Sequence, residues 1–577
     1  MNTMNKQIKK NSCLFQLIKQ TGSLLLLILS SSFYGKAQVE AWRSPLEFPL
    51  FLAGNFAELR PNHFHAGIDL KTQGATGKAV HAPKAGYVSR ISASPWGYGY
   101  ALYLNHPDGV TTVYGHLERF APKLAQYLWE QQHQQEKFAI NLIMTPEQFP
   151  VEEGEIVAYS GNTGSSGGPH VHFEMRETAT DKLMDALPYY RHLIKDTRAP
   201  KALGILVCPQ AGNGVVNGKS SNQEINITTD KKGNMALSSR IEAWGKIGLA
   251  IRANDYMDET ANIYGVKEII LKEGETECFH SNIENYHFSD DRYVNAWTDY
   301  ELWSKKRIFY QKCFIEPGNR LPFFQSKNRG VITIDEEKNY YFRFILRDLH
   351  GNQTELKVTV VGKKQDIPAV NTEGTEHFHW NSSNIFGAKG IRLHIPKGNL
   401  YNDLHFKYAV REEEGRLSAV HILHDKPVPL HKKAKLSLRI MDDRIENKKQ
   451  YGIVRWKGPK ATWIGGTFRE RWIDASISEL GTYTISVDSV HPVITPIQPA
   501  QWMAKKEFVF RLTDNLSGVA NYRGTIDNQF VLFRMDNRSV IRCAFDKEEL
   551  PKGHHLLHLE VSDACGNRST CEHSFIL

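Results

Sequence analysis

Gly167-Gly168-Pro169-His170-Val171-His172-Phe173-Glu174-Met175 is the stretch on which the reading of the N-terminal third turns. Side chains alternate across a β-strand, so His170, His172 and Glu174 share one face while Val171, Phe173 and Met175 share the other. Two imidazoles and a carboxylate backed by three apolar residues describe a half-buried, chemically loaded strand. The proline bars continuation of a helix into it.

Two further histidine motifs lie upstream. In Asn62-His63-Phe64-His65-Ala66-Gly67-Ile68-Asp69, Gly67 and Ile68 disfavour a helix. A turn running into a strand over Ile68 to Lys71 lets His65 and Asp69 converge, and imidazole plus carboxylate suits zinc. In Thr112-Val113-Tyr114-Gly115-His116-Leu117, alternation puts Thr112, Tyr114 and His116 on one strand face. Taken singly, each motif is also compatible with ordinary turn or core histidines. His63, His81 and His106 belong to no such constellation and read as structural.

Around this region, 577 residues exceed what one core holds, about 250–300 residues. Short strands, glycine-rich turns and few helical periods predict a mainly β chain: an N-terminal antiparallel β-sheet domain, then two or three immunoglobulin-like β-sandwich domains. The expected boundaries are 38–197, 198–363, 364–490 and 491–577. An insertion over 121–148 contains a helical stretch, Lys123 to Lys137, with Leu124, Tyr127 and Leu128 on one stripe. A weak internal repeat marks the rest. Asp348-Leu349-His350-Gly351-Asn352 is echoed by Asp563-Ala564-Cys565-Gly566-Asn567, and Asn254-Asp255 by Thr513-Asp514. The lead-in Asp196-Thr197-Arg198-Ala199-Pro200 is echoed by Asp488-Ser489-Val490-His491-Pro492.

Residues 1–37 read as a cleavable signal peptide, with Lys6, Lys9 and Lys10 before the apolar run Ser23 to Leu29 and small residues at Gly35 and Ala37. No cysteine follows the apolar run to carry a lipid, so a periplasmic or secreted protein without a lasting membrane span is expected. Removing the five lysines of that segment lowers the net charge from +8 to +3, too mild for a nucleic-acid partner. Six cysteines remain, an even number that permits disulfides in an exported protein. Cys278 with Cys313, and Cys565 with Cys571, are two of many conceivable pairs, and no CxxC zinc spacing occurs.

Together, the three histidine motifs resemble the lysostaphin-type (LytM-like) zinc metallopeptidases. That family carries H-x-x-x-D, Y-x-H-L and S-G-x-T-G…G-P-H-x-H-F-E. This chain reads His65…Asp69, Tyr114-Gly115-His116-Leu117, and Ser160-Gly161-Asn162-Thr163-Gly164…Gly168-Pro169-His170-Val171-His172-Phe173-Glu174. The resemblance covers roughly residues 40–180 and departs from the family at the 121–148 insertion. It implies one zinc ion held by His65, Asp69 and His172, with His116 and His170 as non-ligating catalytic residues beside the attacking water. Which of the two is the general base stays open, as does whether Glu174 orients a histidine or serves a separate salt bridge. The implied activity is a metalloendopeptidase acting on peptide stems or cross-bridges of peptidoglycan. The alternatives are a non-catalytic wall-binding or hydrolase-regulating module, and a zinc D-Ala-D-Ala carboxypeptidase.

Overall fold

The computed structural model describes residues 41–536, 539–545 and 550–577. The proposed signal segment lies outside them. Among the described residues no helix is long and apolar enough to cross a membrane.

The N-terminal region is built on β1 (Leu52–Gly54), β2 (Ile68–Lys71), β3 (Gly86–Ala93), β4 (Tyr100–Asn105), β5 (Val110–Leu117), β6 (Ile140–Ile143) and β7 (His170–Glu177). They hydrogen-bond in the order β1-β2-β7-β5-β4-β3-β6. Pairing along this path is antiparallel throughout. β7 is therefore central, flanked by β2 and β5. Val171, Phe173 and Met175 on its apolar face are fully buried, which fixes the register because a one-residue slip would expose them.

The insertion carries α1 (Pro122–Gln134), opened by a proline in its first turn. Leu124 and Leu128 are buried, and the Tyr127 ring packs tilted against Phe149 with centroids 5.4 Å apart. The other side of this segment meets the last part of the chain. His133 lies 5.6 Å from the Phe530 ring, and the Arg523 guanidinium reaches the Glu136 carboxylate at 2.6 Å.

Beyond the N-terminal region the chain is mainly β. Strands between Lys201 and Gly362 form one eleven-stranded sheet, made continuous by the long strands Lys201–Val216 and Ile241–Asn254. One outlying strand, Asn285–Tyr286, instead pairs with Lys182–Met184 and so extends the N-terminal sheet. Residues 375–487 supply a six-stranded and a five-stranded sheet around a shared apolar core that includes Ile391, Leu436, Ile453 and Ile473. The C-terminal strands form two four-stranded sheets. Cys208, Cys278, Cys313, Cys565 and Cys571 are free thiols.

Candidate metal centre

Register builds the site. β7 aligns His172 opposite Asp69 of β2 on one side and opposite Gly115 of β5 on the other. Directly opposed residues present their side chains on the same face, so His172 and Asp69 meet. His65 joins them through the bend at Gly67, where a Cβ would come within 2.2 Å of the Phe173 carbonyl oxygen. Only glycine lets the chain pass β7 this closely.

The three donor atoms form a tight triangle. His65 Nε2 stands 3.0 Å from Asp69 Oδ1 and 3.1 Å from His172 Nδ1, and His172 Nδ1 stands 2.9 Å from Asp69 Oδ1. Donors about 2.0–2.2 Å from a tetrahedral centre are separated by roughly 3.4 Å, so this set fits zinc with a few tenths of an ångström of relaxation. His, His and carboxylate is also the right chemistry, leaving a fourth position open.

Each imidazole has one nitrogen tied to a fixed acceptor, which decides what the other can do. His65 Nδ1 donates to the Asn55 carbonyl at 2.8 Å, so its Nε2 lone pair faces the triangle. His172 Nε2 donates to Glu174 Oε1 at 2.8 Å, leaving Nδ1 for the triangle. His116 Nδ1 donates to the Thr163 carbonyl at 2.9 Å and His170 Nδ1 to the Gly168 carbonyl at 2.8 Å. His116 keeps Nε2 for substrate or solvent, whereas His170 Nε2 turns toward Asp69 Oδ1. Their rings lie 4.8 Å apart beside the triangle, and His170 Nε2 is 3.4 Å from Asp69 Oδ1.

Glu174 does both jobs left open by the sequence. It orients His172 and also binds buried Arg176, whose Nε donates at 2.7 Å. The Tyr98 hydroxyl adds a third bond at 2.5 Å while its ring stacks on His172. Asp69 Oδ2 faces Arg60 at 3.8 Å.

Electrostatics follow from burial and these partners. Burial opposes charge on Asp69, but neighbouring His65 and the hydrogen bonds from His170 and His172 outweigh it and hold the carboxyl far below the usual range. Burial likewise opposes charge on His172, yet its bonds to Asp69 and Glu174 push it up to about 9. Glu174, fully buried, is nevertheless brought down to about 2 by Arg176 and His172. His116 is lowered to about 4, first by burial and then by the neighbouring imidazoles. It is neutral at pH 7 and able to take a proton.

One expectation needs correction. Simple alternation put His116 on the face of Thr112 and Tyr114, but Tyr114 points into the core, where its hydroxyl bonds Thr112 and its ring packs on Phe173. The pairing of β4 with β5 shifts register between Tyr100 and Leu102, and His116 adopts φ +61°. This bulge turns His116 to the opposite face, beside His170. The sequence reading missed Asn55, Tyr98, Thr163 and Arg176. Arg176 was readable from period-two alternation after Glu174; the backbone carbonyls of Asn55 and Thr163 leave no side-chain signal. His81 and His106 are buried structural residues, their Nδ1 atoms donating to the carbonyls of Gly154 and Ala85.

Residues 63–133 match the model of Peptidase family M23, and residues 375–488 match that of the Zu5-like domain. A DD-carboxypeptidase/endopeptidase Mpg of Neisseria meningitidis serogroup B is 30% identical over 112 residues, 19% of this chain and 20% of that protein. An uncharacterized metalloprotease of Haemophilus influenzae is 32% identical over 110 residues, 19% of this chain and 18% of that one. The chain thus spans about a fifth of the length of the curated relatives it matches. Among solved structures, the catalytic domain of the antimicrobial peptidase lysostaphin from Staphylococcus simulans is 21% identical, with 25% of this chain and 92% of that domain covered and a TM-score of 0.19. The chain therefore carries a domain of peptidase family M23, the LytM type, followed by β-rich domains of which one is Zu5-like.

Proposed function

We propose that this protein is an exported zinc endopeptidase that hydrolyses peptide cross-links of peptidoglycan. The family assignment makes it a relative of metallopeptidases and peptidoglycan hydrolases. The observation that carries the finer reading is the convergence of His65 Nε2, Asp69 Oδ1 and His172 Nδ1 within 3.1 Å of one another, with two further histidines alongside. A degenerate relative would have no reason to keep every donor aimed at one point.

His65, Asp69 and His172 would hold the zinc ion, which when bound would supply Lewis-acid chemistry toward the scissile carbonyl and water. The chain's own residues do the rest. Neutral His116 takes up a proton at Nε2, and His170, its ring 4.8 Å away, is placed to stabilise an oxyanion or protonate the leaving amine. The reverse assignment uses the same two histidines. Glu174 and the Asn55 carbonyl hold the tautomers that leave His172 Nδ1 and His65 Nε2 as donors. A Cβ at Gly167 or Gly168 would meet nothing within 4 Å, so the loop ahead of His170 borders open space that an extended peptide can enter.

Digestion of purified peptidoglycan by the full-length protein, with and without chelator, tests the reading. Chelator-sensitive conversion of cross-linked muropeptides to monomers supports it. Loss of terminal D-Ala alone makes the protein a carboxypeptidase, an activity named jointly with endopeptidase in the Neisseria relatives. No product from zinc-loaded protein overturns catalysis in favour of a binding module.

A further inference from the structure

The repeated Asp-x-x-Gly-Asn turns noticed in the sequence come together with the two other echoed aspartates. In the first set, Asp196 precedes the strand Lys201–Val216, Asp255 follows Ile241–Asn254, and Asp348 opens the turn after Asn339–Arg347. In the second, Asp488, Asp514 and Asp563 hold the corresponding places. The two sets share their wiring. Asn352 donates its backbone N–H to Asp348 Oδ1 at 2.9 Å and its side-chain amide to Asp348 Oδ2 at 2.7 Å and to the Asp196 carbonyl at 3.1 Å. Asn567 does the same to Asp563 at 2.8 and 2.6 Å and to the Asp488 carbonyl at 3.0 Å. Donor atoms of Asp488, Asp514 and Asp563 lie within 4.8 Å of one another, as do those of Asp196, Asp348 and His350.

What points to a ligand is the set of oxygens left over. Asp196 is 7% exposed and Asp255 2%, yet Asp196 Oδ2 and Asp255 Oδ1 accept no hydrogen bond; His350 Nδ1 faces Asp196 Oδ2 at 3.8 Å, and His350 Nε2 makes no hydrogen bond. These side chains line one cavity of about 20 Å³ at the junction of the peptidase domain and the next domain. That volume holds a single water-sized body. In the second set Asp514 is only half-buried, with its Oδ1 shielded from solvent and making no hydrogen bond. Nearby cations are engaged elsewhere. Arg198 donates to the carbonyls of Met257 and Thr260, and Lys267 to Asp185. Uncompensated buried carboxylates are costly. Burial and the neighbouring aspartates push Asp255 up to about 8 against the Tyr256 amide and Arg198, and Asp196 up to about 6 against the Arg198 amide and His350.

We infer that the two aspartate sets are calcium sites, one clamping the peptidase domain to the domain that follows it and one at the head of the C-terminal module. Three carboxylates in the second set, and in the first two carboxylates and an imidazole with Asp255 lining the same cavity, offer no thiolate and mostly the oxygen donors of a hard divalent cation. Calcium tolerates the mixed, irregular oxygen shell that such turns offer, whereas magnesium demands a near-ideal octahedron. The inference is independent of the peptidase reading, because it is tested by binding alone.

Calorimetric titration of CaCl2 into zinc-loaded, calcium-stripped full-length protein should show two saturable sites, with dissociation constants on the order of 10⁻⁴ M or tighter. Asp255→Asn should weaken one of them at least about tenfold and Asp514→Asn the other, each leaving its counterpart intact. The unfolding temperature of the unmodified protein should rise with calcium and not with equal magnesium, a readout that needs no variant to fold. Absence of saturable binding below about 10 mM together with no thermal shift would overturn the assignment. Binding that both variants leave unchanged would overturn it too, as would zinc but not calcium filling the site beside His350.

Discussion

The histidine centre and the aspartate junctions are assembled by the same device, a strand end and a turn that bring three donors from distant sequence together. They differ in what surrounds the donors. At the centre the ring nitrogens not aimed at the triangle are satisfied, His65 by the Asn55 carbonyl and His172 by Glu174, and Arg60 faces Asp69 Oδ2 at 3.8 Å. At the first junction Asp255 Oδ1 and His350 Nε2 make no hydrogen bond, and Asp196 Oδ2 has only His350 Nδ1 at 3.8 Å. The contrast separates a site preorganised for chemistry, whose donors are locked in advance, from one whose charges still call for a counter-ion.

The largest effect should come from removing a locked donor. His172→Ala deletes one corner of the triangle and leaves Glu174 without its imidazole partner. Bound zinc and cross-link cleavage should both vanish; a variant retaining stoichiometric zinc by elemental analysis would mean the ligand set is wrong. Next come the two histidines outside the triangle. His116→Ala should keep zinc while turnover falls about 10²–10⁴-fold, the usual worth of general acid–base help. Turnover near the unmodified rate would remove His116 from catalysis. The comparison sharpens further at Glu174→Gln. The amide still accepts from His172 Nε2 but no longer offsets Arg176, so zinc affinity, read by chelator competition, should drop about 10–100-fold. An unchanged affinity would show that the surrounding bonds are not what sets this centre apart from the junctions.

How much of this was legible beforehand depended on periodicity. His170, His172 and Glu174 could be placed on one face because β7 is an uninterrupted strand with buried Val171, Phe173 and Met175 behind it. His116 could not, because a bulge reverses its facing and alternation carries no warning of a bulge. The anchoring carbonyls of Asn55 and Thr163 were invisible, since any residue type supplies a carbonyl. Asn55 is itself held from outside the domain: its side-chain amide donates to Gly265 of the following domain at 2.8 Å. The aspartate echoes were readable as a repeat but not as clusters, because Asp255 and Asp348 follow Asp196 by 59 and 152 positions. The continuous sheet over 201–362 was hidden for the same reason: long-range pairing has no local signature.

The smallest effect concerns a buried acid of a third kind, at the contact between the second domain and the hairpin preceding His65. Asp291 Oδ1 accepts the Phe64 amide at 3.2 Å, and Tyr286 and Trp297 pack around the Phe64 ring. Burial pushes Asp291 up to about 7, with Glu174 and Asp290 adding to it and the Phe64 bond opposing. A carboxyl whose folded value lies above its unfolded value near 3.8 favours folding in its protonated form. Its contribution is full below about pH 4 and is lost as pH rises toward 7. Asp291→Asn keeps an acceptor for Phe64 and removes the charge, so it should raise the unfolding temperature by a few degrees at pH 8 and leave it unchanged at pH 4. An equal shift at both pH values would mean that packing around Phe64, not the buried charge, limits this contact.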